Sequence, residues 1–273
     1  MKYLQNLHTH STYCDGADTP EEMILAAIEK NFDSLGFSGH SFMHYAPNNG
    51  MSLVGTEEYK KEINYLKEKY KQQIRIFCGL ELDLYSDVNI DGFDYIIGST
   101  HYFHMNGEYI GFDRSAEVVK SVIDEYFAGD GMKYAKAYYE EIMKLTELER
   151  VDVVGHFDLI TKHSEKEHFF DEESPEYKKY VREAIAIISE KTKLFEINSG
   201  AIARGYRTTP YLTPYILKEL KTRGCGIVVS SDCHDKRFLD CYFNQSLKLL
   251  KECGYTEHYV LKKDGFTAIE IDV

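Results

Sequence analysis

Short apolar stretches recur along the chain, and longer stretches with helical spacing of their apolar residues lie between them. Seven of the short stretches are rich in β-branched and aromatic residues, which is typical of strands. They are roughly Lys2–Leu7, Ser34–Gly39, Ile74–Leu82, Asp94–Ser99, Val151–Gly155, Lys193–Asn198 and Gly226–Ser231. The alternation predicts βα units joined into a parallel sheet. It leaves open whether this sheet closes into a barrel or stays open and doubly wound.

Six stretches between these runs repeat apolar residues at helical spacing. The first begins at Thr19-Pro20-Glu21-Glu22, where a capping residue precedes a proline in the first turn. The others are Thr56–Gln72, Ser115–Phe127, Met132–Glu149, Pro175–Thr192 and Thr213–Arg223. Long loops are predicted at His101–Arg114 and Lys162–Ser174. The last segment, Tyr259–Val273, predicts a terminal hairpin around Lys263-Asp264-Gly265.

Composition narrows the class of protein. The chain has 273 residues, and because an α/β barrel typically takes about 250, we expect one domain over residues 1–273. Asp and Glu number 45 against 32 Lys and Arg, a net charge of −13, which disfavours nucleic acid and anionic membranes as partners. No apolar run suits a membrane span or a signal core. Six cysteines without a C-x-x-C pair predict reduced thiols and a cytoplasmic protein.

Metal-binding residue types follow six of the seven predicted strands. They are His8, His10, Asp15, His40, Glu81, His101, His156, Asp232 and His234. Since residues i and i+2 of an extended strand share a face, His8 and His10 are expected to enter one cavity, as are Asp232 and His234. The carboxyl ends of barrel strands meet at one face. Nine donors there predict a metal centre with more than one ion, because a tetrahedral ion takes four.

These motifs resemble those of the polymerase and histidinol phosphatase (PHP) family, which opens with H-x-H and closes with D-x-H. The resemblance rests on His8-Thr9-His10, Gly39-His40, Gly79-Leu80-Glu81, Gly98-Ser99-Thr100-His101, Gly155-His156-Phe157-Asp158 and Ser231-Asp232-Cys233-His234. It implies an α/β fold, a distorted TIM-like (β/α)7 barrel in a single domain, that holds three divalent metal ions. The barrel is thus favoured over the open sheet by resemblance.

The resemblance also implies how the ligands are shared among the ions. The first ion would take His8, His10, Glu81 and Asp232. The second would take Glu81, His101 and His156, so that Glu81 bridges the two. The third would take Asp15, His40 and His234. Some family members have histidine where this chain has Asp15, and a carboxylate favours Mn or Fe over Zn.

Such a site suits phosphoester hydrolysis. Three divalent ions and three carboxylates leave a local positive charge that would attract a phosphate monoester dianion. We expect a hydroxide bridging two ions to attack phosphorus, with Glu81 as the bridge and Asp232 or His234 passing a proton to the leaving alkoxide. The resemblance implies that Lys162 and Arg204 contact phosphate, while Arg207 and Arg114 are weaker candidates.

The expected function is hydrolysis of L-histidinol phosphate to L-histidinol and phosphate in histidine biosynthesis, that is, a phosphoric monoester hydrolase acting on a small molecule. One alternative is a PHP-type nuclease, or a phosphatase acting on nucleotides or other small monoesters. A nuclease would need a basic groove, which the acidic composition disfavours. A non-catalytic binding barrel is a further alternative, but there lost ligands would be expected. The oligomeric state is left open by the sequence.

Overall fold

The computed structural model describes residues 3–273, so Met1 and Lys2, the latter in the first predicted strand, lie outside the described residues. The strands of the described part are β1 (Gln5–Asn6), β2 (Ser34–Phe37), β3 (Arg75–Asp83), β4 (Tyr95–Ser99), β5 (Tyr102–Met105), β6 (Glu108–Gly111), β7 (Val153–Val154), β8 (Leu194–Asn198), β9 (Gly226–Ser230), β10 (Glu257–Lys262) and β11 (Gly265–Glu270). The helices are α1 (Pro20–Glu29), α2 (Leu53–Tyr70), α3 (Ala116–Tyr126), α4 (Gly131–Met143), α5 (Pro175–Lys191), α6 (Gly200–Ala203), α7 (Pro214–Thr222) and α8 (Phe243–Glu252).

All seven predicted strand runs form strands of one sheet. Its order is β1-β2-β3-β4-β7-β8-β9-β10-β11, and the first seven of these are parallel. The terminal hairpin is also confirmed, because β10 pairs antiparallel with β11 through a turn at Lys263 and Asp264. The α/β prediction is therefore correct.

The sheet curls until β1 and β9 meet at their carboxyl ends. Just beyond β1 and β9, Thr9 and Cys233 form a parallel bridge. The amide of His10 donates to the carbonyl of Cys233 at 2.8 Å, and the amide of Cys233 donates to the carbonyl of His8 at 2.9 Å. This contact settles the choice that periodicity left open: the sheet is a distorted barrel.

At the opposite end the ring is interrupted by β10. Tyr259 of β10 pairs with Val228 of β9. The side chain of Gln5, on β1, bonds to the backbone of Leu261, accepting from its amide at 2.7 Å and donating to its carbonyl at 2.8 Å. At this end, β1 and β10 are joined by the side chain of Gln5 rather than by paired backbones. The barrel is therefore fully closed only at the carboxyl ends of its parallel strands.

The lower interior of the barrel is filled by a separate apolar cluster. Its buried members are Leu7, Phe77, Tyr95, Ile97, Val153, Val228 and Leu261. Tyr95 crosses this space and its hydroxyl bonds to the carbonyls of Leu7 and Phe37. A Cβ added at Gly79 would lie 2.3 Å from the ring of Tyr95, so only glycine fits beneath it. This packing forms a floor below the carboxyl ends of the strands.

The cap predicted at the start of α1 is present, and three further helices begin with capped first turns. Thr19 and Glu22 form a reciprocal capping box at the start of α1, which satisfies two backbone donors that a helix start leaves open. Ser115, Ser174 and Thr213 accept from backbone amides at the starts of α3, α5 and α7. Among the described helices, none is long and apolar enough to cross a lipid bilayer.

Four details differ from the sequence-based predictions. The predicted loop His101–Arg114 contains the hairpin β5–β6, which turns at Asn106-Gly107 with both φ angles positive. Helix α2 begins at Leu53, capped by Ser52, rather than at Thr56. Helix α4 ends at Met143, and a short 3-10 helix, Lys144–Glu147, continues it. Helix α8 was not predicted, because its first turn carries no side-chain cap.

Candidate metal centre

The nine predicted ligands come together at the carboxyl ends of the parallel strands. They form four overlapping groups whose donor atoms lie within 4.8 Å of one another. The groups are His8, His10 and Asp232; His8, Glu81 and His156; His40, Glu81 and His101; and His10, Asp15, His40 and His234. The sequence-based ligand set is therefore a spatial cluster in this fold, and each group could hold a metal ion.

Glu81, near the end of β3, lies at the middle of the cluster and is 1% exposed. Nitrogen atoms of five imidazoles lie near its two carboxylate oxygens: His40 at 2.8 Å, His156 at 2.9 Å, His8 at 3.3 Å, His10 at 3.5 Å and His101 at 3.6 Å. Burial alone would raise the pKa of Glu81, but the imidazoles of His40 and His8 lower it well below its usual range. The carboxyl is thus held as an anion.

Three buried polar atoms in the cluster have no hydrogen-bond partner: Nε2 of His8, Nε2 of His10 and Oε2 of Glu81. The two nitrogens of His8 and His10 lie 3.3 and 3.5 Å from Oε2 of Glu81, and 3.7 and 3.2 Å from Oδ1 of Asp232. Buried polar atoms are normally satisfied. A cation bound between them would satisfy all of these lone pairs, so the residues present fit a metal ion.

The outer part of the cluster is formed by Asp15, His40 and His234. Oδ2 of Asp15 lies 3.1 Å from Nε2 of His234 and 3.7 Å from Nε2 of His40. The structure adds His10 to this group, because its Nδ1 lies 3.4 Å from Oδ1 of Asp15. Asp15 is about half exposed, 48% for its side chain, so this part of the cluster opens to solvent.

Two carboxylates that the sequence reasoning missed support the ligands from behind. Glu196 on β8 lies 2.9 Å from Nδ1 of His8, and Asp83 on β3 lies 3.1 Å from Nδ1 of His101. Each acceptor fixes a proton on Nδ1 and leaves Nε2 free to bind a metal, an arrangement common at metal-binding histidines. A charged residue inside the apolar run Leu194–Asn198 was the available signal for Glu196.

Asp232 reaches the cluster through a kink rather than through an extended strand. Strand β9 ends at Ser230, and Asp232 has a φ of 44°, in the left-handed region that Asp tolerates better than most residues. The expectation that Asp232 and His234 share a face because they are extended is therefore wrong in its geometry. Both nevertheless enter the cluster, while the Cys233 thiol turns away and donates to the carbonyl of Asp235.

Arg204, at the end of α6, lies against the same edge of the cluster. Its guanidinium donates to Oδ2 of Asp232 at 2.9 Å and to the carbonyl of Asp232 at 3.1 Å, and it lies 2.9 Å from Nδ1 of His234. A Cβ added at Gly200 would come within 3.0 Å of both Asp232 and Arg204. Glycine at this position thus allows the close approach of the cation to the ligands.

An open cavity of about 330 Å³ lies over the cluster. Its walls include Asp15, His101, Asp232 and His234 of the cluster, and both predicted cations, Lys162 and Arg204. Lys162 donates to Asp113 at 3.0 Å and lies 4.9 Å from the ring centre of Tyr206. Arg114 also lines the cavity.

Arg207, unlike Arg114, does not line the cavity. Its side chain donates hydrogen bonds to Thr161 and Thr209, which lie in two different loops. Arg207 therefore joins these loops and is not placed as a phosphate contact.

Four imidazoles of the cluster, those of His8, His10, His40 and His101, carry raised pKa values. Burial would lower the pKa of His8, but the carboxylates of Glu196, Glu81 and Asp232 outweigh it and raise the pKa to about 10. For His101, burial is likewise outweighed by Asp83 and Glu81, and the pKa is raised. The negative charge around these rings therefore attracts cations, whether protons or metal ions.

Comparison with known proteins agrees with this geometry. The profile of the PHP domain matches residues 6–200. A probable histidinol-phosphatase of Schizosaccharomyces pombe is 25% identical over 94% of this chain and 89% of its own. A histidinol-phosphatase of Bacillus subtilis is 25% identical over 83% of this chain and 92% of its own.

A solved structure has the same fold. It is the histidinol phosphate phosphatase of Lactococcus lactis complexed with zinc, L-histidinol and phosphate, which covers 97% of this chain and 98% of its own. The two structures superpose with a TM-score of 0.74 at 19% sequence identity.

Proposed function

The chain belongs to the PHP domain family, and on this premise we propose that it is a metal-dependent phosphatase that hydrolyses L-histidinol phosphate to L-histidinol and phosphate. The observation that carries the proposal is the cluster of nine metal-binding side chains, seven of which line one cavity together with two cations, Lys162 and Arg204. The names of the two histidinol-phosphatases that align over most of their length support the substrate.

Three divalent ions, of zinc, manganese or iron, are proposed as the cofactors. The first would be held by His8, His10, Glu81 and Asp232, the second by Glu81, His101 and His156, and the third by Asp15, His40 and His234. The zinc in the Lactococcus lactis structure and the unpartnered nitrogens of His8 and His10 support this set. When bound, such ions act as Lewis acids and lower the pKa of water.

The protein's own residues would then bind and orient the phosphate monoester. The guanidinium of Arg204 and the ammonium of Lys162 border the cavity and would hold the phosphoryl oxygens, since charge-assisted hydrogen bonds to phosphate are strong and directional. Asp232 and His234 are both near the guanidinium of Arg204. Their position at the cavity wall supports a role for either in passing a proton to the leaving alkoxide.

The surroundings of the site agree with a small anionic substrate. The chain carries a net charge of −13, which opposes a long polyanion such as nucleic acid, whereas one phosphate needs only the local cations.

All six cysteines are free, which supports a reducing compartment, the cytoplasm. We propose a single catalytic domain over residues 1–273.

The proposal is tested by turnover of the purified, metal-loaded protein on a substrate panel. The panel comprises L-histidinol phosphate, nucleoside monophosphates, phosphotyrosine and short single-stranded DNA, with the chelator-treated protein as the control. We expect kcat/KM to be highest for L-histidinol phosphate and to vanish with chelation. A higher kcat/KM for DNA would support the nuclease alternative, and one for a nucleotide would replace the substrate. Turnover unaffected by chelation would refute metal dependence.

A further inference from the structure

The two cations that border the cavity belong to two separate loops. Lys162 follows β7 in the segment 156–168, and Arg204 begins the segment 204–213 after α6. Neither residue lies on a strand, so the barrel does not by itself fix the distance between their charges. A phosphate held by both cations requires that distance to be constant, because misplacement of about 1 Å can cost a hundredfold in rate.

Arg207 joins these loops through one buried guanidinium. Its Nη1 donates to the carbonyl of Thr161 at 2.6 Å and to the hydroxyl of Thr161 at 2.5 Å. Its Nε and Nη2 donate to the carbonyl and hydroxyl of Thr209, both at 3.2 Å. Thr161 directly precedes Lys162, and Arg207 is three residues beyond Arg204. One rigid fork of donors therefore joins Thr161, which adjoins Lys162, to Thr209 in the loop that begins at Arg204.

Glu165 ties the same loops from the opposite direction. Its carboxylate accepts from the amide and hydroxyl of Thr208 at 2.7 and 2.8 Å, and from the amide and hydroxyl of Thr209 at 3.2 and 2.8 Å. The carboxylate also lies 3.8 Å from Nε of Arg207. A cation of one loop and an anion of the other thus bind reciprocally across the boundary, and we call Arg207, Glu165, Thr161, Thr208 and Thr209 the loop clasp.

The geometry excludes Arg207 from direct contact with a phosphate in the cavity. Its side chain is 4% exposed, and its Nε, Nη1 and Nη2 are all engaged by protein oxygens. Burying a guanidinium is costly unless its donors are satisfied. Here they are satisfied by Thr161 and Thr209, so the charge is used to fix backbone positions.

We propose that Arg207 is a positioning residue that, with Glu165, sets the spacing of Lys162 and Arg204 and thereby the affinity of the cavity for the phosphoryl group. This inference rests on the proposed function, because it takes a phosphate monoester as the ligand. Arg207 acts through Lys162 and does not touch substrate or metal ions.

The test compares Arg207→Met, Arg207→Lys and Glu165→Gln with the wild type, with Glu167→Gln, an exposed glutamate of the same loop, as the matched control. The readouts are the inhibition constant of inorganic phosphate, kcat and KM for p-nitrophenyl phosphate, and bound metal. Arg207→Met should raise the phosphate inhibition constant about tenfold or more, with metal content unchanged. Lysine should not restore it, because a single ammonium cannot span Thr161 and Thr209. Glu165→Gln should act in the same direction, and Glu167→Gln should have no effect.

A double-mutant cycle separates positioning from general damage. If Arg207 acts through Lys162, Arg207→Met should cost little in a Lys162→Met background, because the effects of coupled residues are not additive. Additive effects, or an unchanged phosphate inhibition constant in both Arg207→Met and Glu165→Gln, would overturn the proposal.

Hydrogen exchange keeps the clasp testable if the proposed function fails. Loss of either charge should speed amide exchange in both segments, 156–168 and 204–213, because each segment is held by the other. Exchange confined to the mutated segment would contradict the clasp. A wild-type protein without any phosphatase activity would refute the proposed function instead, so the two failures are distinguishable.

Discussion

The carboxylate of Glu196 lies 2.9 Å from Nδ1 of His8, on the side of the imidazole opposite Glu81. Both residues are fully buried. Glu196 also accepts from the amide of His156 at 2.7 Å, so one carboxylate of β8 orients two of the proposed ligands. Nε2 of His8 is thereby presented to the cluster before any ion binds.

Glu196→Gln should therefore weaken metal binding. The amide keeps the shape of the side chain but removes the charge that holds the proton on Nδ1 of His8, and loss of such a partner typically costs about 10–100-fold in metal affinity or activity. Competition with a chromogenic chelator measures this. The exposed Glu190→Gln on α5 is the control, and equal affinities in the two variants would remove Glu196 from the support of the site.

Metal binding should release protons, and the apparent metal affinity should increase with pH. The carboxylates around His8 raise its pKa to about 10 in the metal-free protein, so at neutral pH a proton occupies the ring that an ion must bind. Raising the pH from 6 to 9 lowers the proton concentration with which the ion competes for this ring, so apparent metal affinity should rise. Calorimetric titration in buffers of different ionisation enthalpy counts the protons, and pH-independent binding without proton release would contradict the expectation.

The raised pKa of His8 should also make the metal-free protein less stable as the pH rises. The free energy of unfolding of the chelated protein contains a contribution from charged His8 that is complete below pH 6.5 and declines as the pH rises towards 10. Chemical denaturation of chelated His8→Gln should show a smaller decline over this range than the chelated wild type.

Glu81→Gln should abolish turnover while the fold is retained. The carboxylate faces five imidazoles and is proposed to bridge two ions, so its loss should exceed the about 10–100-fold effect typical of outer partners. Circular dichroism should remain that of the wild type, and elemental analysis should show fewer than three ions per chain. Wild-type turnover in this variant would remove Glu81 from the site.

Arg204→Met should lower kcat/KM for L-histidinol phosphate. The loss of transition-state stabilisation should be about 2–3 kcal/mol, the size expected for a lost charge-assisted contact. A similar factor is expected on p-nitrophenyl phosphate, because a phosphate contact acts on any monoester. The exposed Arg223→Met is the control. Because Arg204 also pairs with Asp232, metal content must be measured in parallel, and unchanged kinetics on both substrates would refute the assignment.

His258 should make the protein acid-sensitive independently of the metal centre. This histidine on β10 is 3% exposed, and burial lowers its pKa to about 4. Since the unfolded chain binds the proton near pH 6.5, stability is lost as the pH falls from 6.5 towards 4, by at most about 3 kcal/mol. Denaturant unfolding at pH 7 and pH 4.5 should show a smaller loss for His258→Gln than for the wild type or the exposed His168→Gln.

The sequence located the residues of the cluster, but it missed the carboxylates behind them. Each proposed ligand lies near or beyond the end of a strand, and strand ends can be located from local apolar runs, so His40, Glu81 and His156 could each be identified separately. Closure of the barrel depends on the bridge between Thr9 and Cys233, a pairing of distant residues that no local period encodes. Periodicity therefore left the open sheet as an alternative, and the family resemblance was needed to choose.

Local signals were present at two features that sequence analysis missed. Asn106-Gly107 is a common two-residue hairpin turn, and the structure forms β5–β6 around it. Asp83 lies two residues after Glu81 on the same strand and thus on the same face. Helix α8 differs, because Tyr242 precedes it in a left-handed conformation without a side-chain cap, and its position depends on packing of Phe243 and Leu247 in the core.

The closing bridge between Thr9 and Cys233 also orders events during synthesis. A nascent chain that has emerged through β8 already carries seven of the nine donors, all but Asp232 and His234. It lacks β9, and therefore the contact that joins residues 8–10 to residues 232–234. Any of the proposed ions that met the chain before that point would find an unfinished set of donors and could leave again. Firm retention would begin only when the last strand of the ring arrives, so that translation would time the loading of the site.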